Sequence, residues 1–243
     1  MTRTRSRLST AAASLTGLVA AAVLLSGCSA IGDLTSSDEK SASASPSPSA
    51  SATPYPSQFT RDGTFQSHID INGMDYVYTL YPTKSTPRTN EWYPKGNKYF
   101  SFTFQAYDLN RRIRDPFSTK RRVYLSRIQV ESDTVTFDGG KTQHPYRLDA
   151  EARKITFDPE PLSTEYGMLV TSPKGAFELR NQRIKPTSED TRGIDLHFTA
   201  TVHVQDSPGS TSFTKKVIKQ KVPIAIFASD EPTKAQKIPV DAN

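Results

Sequence analysis

The chain has a single cysteine, Cys28, and no long apolar run. A lone thiol cannot form an internal disulfide, so the fold must be stable without one. The most apolar segment, residues 15–25, is much shorter than the roughly 20 residues that a helix needs to cross a bilayer. This segment therefore does not fit a permanent membrane-spanning helix.

Common catalytic and cofactor-binding motifs are also missing. There is no Gly-x-Ser-x-Gly turn, no Walker phosphate loop, no His-Glu-x-x-His and no cysteine cluster. The four histidines are His68, His144, His197 and His203. Six residues of a predicted strand separate His197 from His203 by about 20 Å, too far for both to bind one metal. We therefore expect no enzyme activity, no cofactor and no metal. An extracytoplasmic hydrolase is the third interpretation, after the two non-enzymatic interpretations that the rest of the sequence suggests.

The N-terminus has the parts of a secretory signal peptide: a basic head with spaced arginines, a short apolar core and small residues before a cleavage point. The segment Leu25-Ser26-Gly27-Cys28 resembles the lipobox of bacterial lipoproteins. The resemblance implies that residues 1–27 are removed, and that Cys28 carries a diacylglyceryl anchor on the outer face of the cytoplasmic membrane. The alternative is an ordinary signal peptide in which the cysteine is coincidental.

The composition changes abruptly after the lipobox. Residues 41–56 are almost wholly Ser, Ala, Pro and Thr, with Tyr55 as the one aromatic. Such a tract cannot bury enough apolar surface to fold, so residues 28–57 are predicted to be a disordered tether with an average reach of roughly 30 Å. The composition is similar to that of lipoproteins from high-GC Gram-positive bacteria. The net charge of +6 includes three arginines of the signal peptide, so the mature chain carries +3.

Residues 58–230 predict an all-β, antiparallel β-sandwich, followed by a polar tail over 231–243. Asn72-Gly73 lies between two alternating runs, which is a strong hairpin signal. A two-residue turn places Asp70 opposite Asp75, an unfavourable pair unless a cation or a basic side chain lies between them. Two carboxylates alone do not make a calcium site. The strand spacing is similar to that of immunoglobulin-like sandwiches, but the Cys–Trp–Cys pattern of antibody domains is absent.

Alternation predicts further strands. The best core strand covers residues 97–109, because Phe100, Phe102 and Phe104 share one face. A change of phase between Leu125 and Ile128 predicts a β-bulge within a strand over 122–130. Other predicted strands cover 133–137, 154–157, 194–204 and 218–226. Pro223 cannot donate to a ladder, so the last strand is expected to lie at an edge or to be locally broken there.

A basic segment connects two of these strands and is a candidate anion-binding site. Residues 111–122 contain six basic residues and a single acid. The candidate contacts are Arg111, Arg112, Arg114, Lys120, Arg121 and Arg122. Concentrated positive charge on an exported protein favours contact with anionic phosphates, either lipid headgroups or teichoic-type wall polymers. The alternative is a solvated loop without a ligand; nucleic acid is not expected as a partner.

A second candidate precedes the Phe-rich strand. Trp92, the only tryptophan, and Tyr93 lie in a segment with Pro94 and Gly96. Exposed on a loop, the two rings could stack on a sugar or contact a protein partner. In the other interpretation, Trp92 closes one end of the sandwich core.

These patterns favour a lipid-anchored binding module for a ligand, a wall component or a partner protein. The second interpretation is a scaffold or accessory subunit of a membrane transporter or a wall-building complex. A binding module should have a concave or aromatic-lined patch around Trp92 and Tyr93. A scaffold should have a large, flat apolar surface and no pocket. A hydrolase should bring two carboxylates, or one carboxylate with His144, His197 or His203, into a cleft.

Overall fold

The computed structural model describes residues 55–227, which form two packed antiparallel sheets. The predicted signal peptide, the lipobox with Cys28, the tether up to residue 54 and the tail lie outside the described residues. Within 55–227, no helix is long and apolar enough to cross a membrane. The chain starts with a short helix, α1 (Gln58–Asp62), whose first turn is capped by the Ser57 hydroxyl.

The first sheet has four strands in the order β1-β2-β3-β8. They are β1 (Phe65–Ile71), β2 (Met74–Pro82), β3 (Lys98–Asp108) and β8 (Phe177–Ile184). The β1–β2 hairpin has the predicted register, with Ile69 opposite Tyr76 and Asp70 opposite Asp75. Asn72 and Gly73 both have positive φ, as the two-residue turn requires.

The second sheet has six strands, in the order β10-β9-β4-β7-β6 with β5 also paired to β4. They are β4 (Val123–Thr136), β5 (Leu148–Glu151), β6 (Ser163–Thr164), β7 (Gly167–Leu169), β9 (Thr191–Gln205) and β10 (Phe213–Ala225). The predicted bulge is confirmed, because the β4–β9 register shifts between Leu125 and Arg127. Pro223 lies on β10, an edge strand as predicted.

The edge strand β10 carries lysines along much of its length. Four of the thirteen residues of β10 are lysines: Lys215, Lys216, Lys219 and Lys221. Charged side chains of this kind discourage a second sheet from pairing with an open edge.

The core lies between the two sheets and is rich in aromatic rings. Phe102 of β3 meets Phe198 of β9 edge to face at 5.0 Å between ring centroids, and Tyr78 of β2 lies 5.6 Å from the same ring. The Tyr78 hydroxyl donates a 3.1 Å hydrogen bond to the carbonyl of Ile218 on β10. The alternating faces of β2, β3, β9 and β10 therefore bury their apolar residues against one another, which confirms the β-sandwich.

The likeness to immunoglobulin domains is limited to this architecture. Strands β1, β2 and β3 are consecutive neighbours in one sheet, whereas the third strand of an immunoglobulin domain lies in the opposite sheet. Residues 170–172 connect the two sheets, since the Ala106 amide donates to the Val170 carbonyl while the Val170 amide donates to the Val123 carbonyl.

For two segments, the structure differs from the predicted strands. Residues 133–137 are mostly the continuation of β4, which runs without a break to Thr136 because β9 pairs with it along its length. Of residues 154–157, the first two lie in the short helix α2 (Ala152–Ile155), and the amide of Thr156, which follows the helix, donates to the Ala152 carbonyl. Apolar Ile155 and Phe157 mimic strand alternation, but too few residues are involved for the pattern to be decisive.

Candidate functional site

The basic segment is a loop at one end of the sandwich, between the end of β3 and the start of β4. The described chain enters at the other end, where the phenol of Tyr55 bonds to Asp195. Ten residues of β9 separate Asp195 from Gln205, which pairs with Arg122. At 3.3 Å per residue, the basic loop is about 33 Å from the point of entry along the strand.

Arg121 holds the base of the loop in place. Its guanidinium lies 2.8 Å from Oδ1 of Asp108 and donates to the carbonyls of Asn72, at 3.1 Å, and Gly73, at 2.8 Å. Burial acts to raise the pKa of Asp108, but the hydrogen bonds and charge of Arg121 outweigh it and lower that pKa. The pair thus joins the loop to the β1–β2 turn, and Arg121 is not free to bind a ligand.

Two further cationic side chains make hydrogen bonds within the loop itself. Lys120 is buried, and its ammonium donates to the carbonyl of Arg112. Arg111 donates from its guanidinium to the carbonyls of Thr119, at 3.1 Å, and Asn110, at 3.2 Å. Backbone carbonyls therefore occupy donors of both side chains, although the Arg111 side chain remains exposed.

The other three cations point into solvent. Arg112, Arg114 and Arg122 are exposed, and none of their guanidinium groups makes an ion pair with any carboxylate of residues 55–227. Of the six predicted contacts, three thus build the loop and three remain available to an anion.

A cleft of about 270 Å³ lies beside the loop. Its walls include Leu109, Ile113 and Arg111 from the loop, and His68 and Asp75 from the first sheet. Leu109 and Ile113 are each 53% exposed. The cleft therefore combines hydrocarbon and charge at the end of the sandwich where the free arginines lie.

The facing carboxylates of the β1–β2 hairpin have separate partners. Asp75 Oδ2 lies 2.7 Å from Nδ1 of His68, and Asp70 Oδ1 accepts the Gly73 amide at 2.9 Å. His68 is therefore the side chain that contacts this pair, through Asp75. Among residues 55–227, no three His, Cys, Asp or Glu side chains are placed to hold a metal ion.

Trp92 and Tyr93 lie in the core instead of on an exposed patch. Trp92 is 0% exposed, its indole N–H donates to the Thr86 carbonyl at 3.1 Å, and its ring lies 5.4 Å from that of Phe59. Tyr93 is buried against Gly96, where a Cβ would lie 2.3 Å from the ring. The proposed aromatic contact is therefore corrected: the Trp92 ring presents no surface to a ligand, and it closes one end of the core.

The histidines do not converge on one cleft. Asp133 lies between His144 and His197, with Oδ1 at 2.9 Å from His144 Nδ1 and Oδ2 at 3.2 Å from His197 Nε2. His203 lies elsewhere on the second sheet, 5.4 Å from the ring of Tyr166. Asp133 and its two histidine partners have side chains that are 42 to 69% exposed, so this cluster lies on an open surface and not in an enclosed site.

Sequence reasoning missed a cluster of rings on the outer face of the second sheet. Tyr166 stacks on Phe213 at 4.4 Å between centroids, and Tyr124 meets Phe213 edge to face at 5.6 Å. The cluster forms because the hairpin register brings β4 and β10 to either side of β9. The outward position of Tyr124, next to inward Val123 and Leu125, was the only available signal.

A buried lysine was also missed. Lys98 is 1% exposed, and its ammonium donates to the carbonyls of Tyr93, at 3.0 Å, Pro94, at 3.1 Å, and Gly96, at 2.7 Å. Burial lowers the pKa of Lys98 to about 8. Nothing in a lysine at the start of a predicted strand indicates that its side chain folds back on the preceding loop.

A larger groove of about 740 Å³ lies at the end where the chain enters. Its cations are already paired: Arg61 lies 2.7 Å from Asp62, and Arg88 lies 2.6 Å from Glu91. The groove therefore lacks the free positive charge of the basic loop.

Comparison with known proteins adds no relationship to this description. No protein-family model matches the chain, and no curated protein matches it.

Proposed function

We propose that this protein is a lipid-anchored, non-enzymatic binding module on the outer face of the cytoplasmic membrane, and that its basic end binds phosphate-bearing anions. The anchor rests on the resemblance of Leu25-Ser26-Gly27-Cys28 to a lipobox. The binding site rests on one structural observation: Arg112, Arg114 and Arg122 are exposed without carboxylate partners on a loop that Arg121 and Lys120 hold in shape.

The arrangement suits an anion because the guanidinium groups of the three arginines are exposed and have no carboxylate partner. An anion therefore does not have to displace an existing ion pair in order to bind. A guanidinium presents several donors in a planar fork that matches phosphate oxygens. A loop whose backbone is held by internal hydrogen bonds loses little conformational entropy when it binds.

A scaffold is less well supported. A scaffold for other proteins would offer a broad apolar face. The large apolar side chains exposed among residues 55–227 do not form one such face. Leu109 and Ile113 share the basic loop, and the others lie elsewhere in the chain: Phe137, Phe157, Leu162 and Val217.

The experiment measures capture of a soluble phosphate polymer, inorganic polyphosphate, by the intact protein reconstituted into neutral phosphatidylcholine vesicles. We expect Arg112→Gln/Arg114→Gln/Arg122→Gln to weaken capture by up to about 100-fold, since each cation contributes roughly 1 kcal/mol near an anionic partner. Raising the salt concentration should weaken capture by the unaltered protein in the same direction.

The matched control is Lys84→Gln/Lys141→Gln/Lys219→Gln, which removes the same charge from exposed lysines outside the basic loop. If the two triple variants capture polyphosphate equally, net charge alone explains binding and the basic loop is not the site.

A further inference from the structure

The basic loop carries exposed aliphatic side chains as well as free cations. Leu109 and Ile113 are each 53% exposed, and Arg112 and Arg114 flank Ile113 in the chain. A single exposed aliphatic residue is ordinary on a protein surface. Two on one loop, interspersed with unpaired cations, form the combination that lies at a membrane interface, with apolar groups among the acyl chains and basic groups at the headgroups.

We propose that the ligand of the basic loop is the anionic phospholipid surface itself, so that the domain has a second membrane contact in addition to its lipid anchor. The inference rests on the proposed function, because it names the source of the phosphates. A wall polymer supplies anions but no hydrocarbon, and Leu109 and Ile113 would remain in water against it. A phospholipid surface satisfies both kinds of side chain at once.

The loop is built to present these side chains without first becoming ordered. At the base of the loop, the Arg121 guanidinium bonds to Asp108. Further along the loop, the Lys120 ammonium donates to the Arg112 carbonyl, and Asp115 accepts the Arg112 amide at 2.8 Å. These hydrogen bonds leave Ile113 and Arg114 at the turn they enclose. Insertion of the tip therefore requires no rearrangement of the core.

The position of the loop is compatible with an anchor at Cys28. Entry point and loop are about 33 Å apart along β9, and the predicted tether has an average reach of roughly 30 Å. A tether of that reach lets the far end of the sandwich return to the membrane that holds the lipid. Both contacts can then form on one surface.

The test places an environment-sensitive dye on the loop of the intact protein. In the proposed mature form, lipid occupies the Cys28 thiol, so Ile113→Cys supplies one reactive thiol. We expect dye at position 113 to report an apolar environment, and to be quenched by lipid-borne quenchers, on phosphatidylglycerol vesicles but not on phosphatidylcholine vesicles. The matched control is Ser85→Cys, an exposed position near the end where the chain enters, whose dye should report water on both.

Two further variants separate the contributions. Arg112→Gln/Arg114→Gln/Arg122→Gln should reduce the inserted fraction by up to about 100-fold. Leu109→Ser, at a position that is 53% exposed, should reduce it about fivefold, the factor that corresponds to burial of part of an aliphatic side chain.

The inference is overturned if dye at position 113 reports water on phosphatidylglycerol vesicles. It is also overturned if the inserted fraction is the same with and without the replacement of the three arginines. The first result, together with polyphosphate capture that depends on the arginines, would leave the proposed function standing with a wall polymer as the ligand. Loss of arginine dependence in both measurements would remove the proposed function as well.

Discussion

The phenol of Tyr55 donates a 2.5 Å hydrogen bond to Oδ1 of Asp195 on β9, while Oδ2 of Asp195 lies 2.7 Å from the Lys221 ammonium on β10. Burial, followed by this hydrogen bond, raises the pKa of Tyr55. Gly193 makes room for the ring, since a Cβ there would lie 2.5 Å from it. The folded domain therefore already includes Tyr55, which lies inside the segment 28–57 predicted to be a tether.

We expect Tyr55→Phe to lower the free energy of unfolding by about 1 to 2 kcal/mol, because a hydrogen bond to a charged acceptor is lost. Urea unfolding followed by circular dichroism measures the change. Tyr99→Phe is the matched control, since the Tyr99 hydroxyl donates to no group of residues 55–227 in a hydrogen bond. Equal effects of the two substitutions would mean that the Tyr55 hydroxyl does not hold the chain.

Lys98 should make stability rise with pH. Its pKa is about 8 when folded and 10.5 in the unfolded chain, so the unfolded state binds more protons between these values. Relative to Lys98→Met, the unaltered protein should gain up to about 3 kcal/mol from pH 8 to pH 10.5. Guanidinium unfolding of both proteins across this range measures the difference, and parallel pH profiles would contradict it.

Replacing Arg121 should be more damaging than replacing the exposed arginines of the same loop. Arg121→Gln leaves the buried Asp108 carboxylate without its partner, and we expect a loss of about 3 to 5 kcal/mol of stability. Arg114→Gln, at an exposed position without an ion pair, should change stability by less than about 0.5 kcal/mol. Thermal unfolding compares the two, and a similar shift for both would refute the distinction between structural and available cations.

The Asp108–Arg121 pair should also make the free energy of unfolding decrease at acid pH. Because the folded-state pKa of Asp108 is lowered, its contribution is present above the unfolded pKa of about 3.9 and is lost as pH falls through the folded value. Asp108→Asn should therefore flatten the acid limb. An unchanged acid limb in this variant would assign acid sensitivity to other carboxylates.

Trp92 offers a spectroscopic check on the site, because it is the only tryptophan. A ring that is 0% exposed should emit at short wavelength and resist quenching by soluble acrylamide. Titration with wall sugars should leave this emission unchanged. Strong quenching, or a shift on addition of sugar, would restore the exposed aromatic contact that the sequence suggested.

The anchor is tested by the intact mass of the protein from its native membrane. We expect a mass equal to residues 28–243 plus lipid, and loss of both the added mass and membrane retention in Cys28→Ala. A released product without lipid would remove the anchor, and the basic loop would then belong to a freely secreted protein.

Strand alternation predicted much of the sandwich because its main strands bury one face. The β1–β2 register, the core face of β3 and the bulge near Arg127 all follow from patterns within a few residues. Strand β8 was missed, because it is an edge strand in which only the two end residues, Phe177 and Ile184, are buried and most of the residues between them are polar. Short strands that exist only by pairing with a long neighbour, such as β7, carry no pattern of their own.

The candidate site could be located from the sequence but not resolved. A run of six cations identifies the loop, yet charge alone does not distinguish Arg121, which bonds to Asp108, from Arg122, which is exposed. That division depends on the β1–β2 turn, which is distant in sequence and adjacent in space. Burial of Trp92 likewise depends on Phe59 and Thr86, which only the folded chain brings together.

The lysines of β10 have a consequence for crowding. A protein held on a membrane by lipid diffuses in two dimensions, where neighbouring copies collide far more often than they would in the same volume of solution. An unprotected edge strand would turn such collisions into sheet extension between copies. Lys215, Lys216 and Lys219 place like charges along that edge, which would disfavour strand pairing between neighbouring copies of an anchored protein.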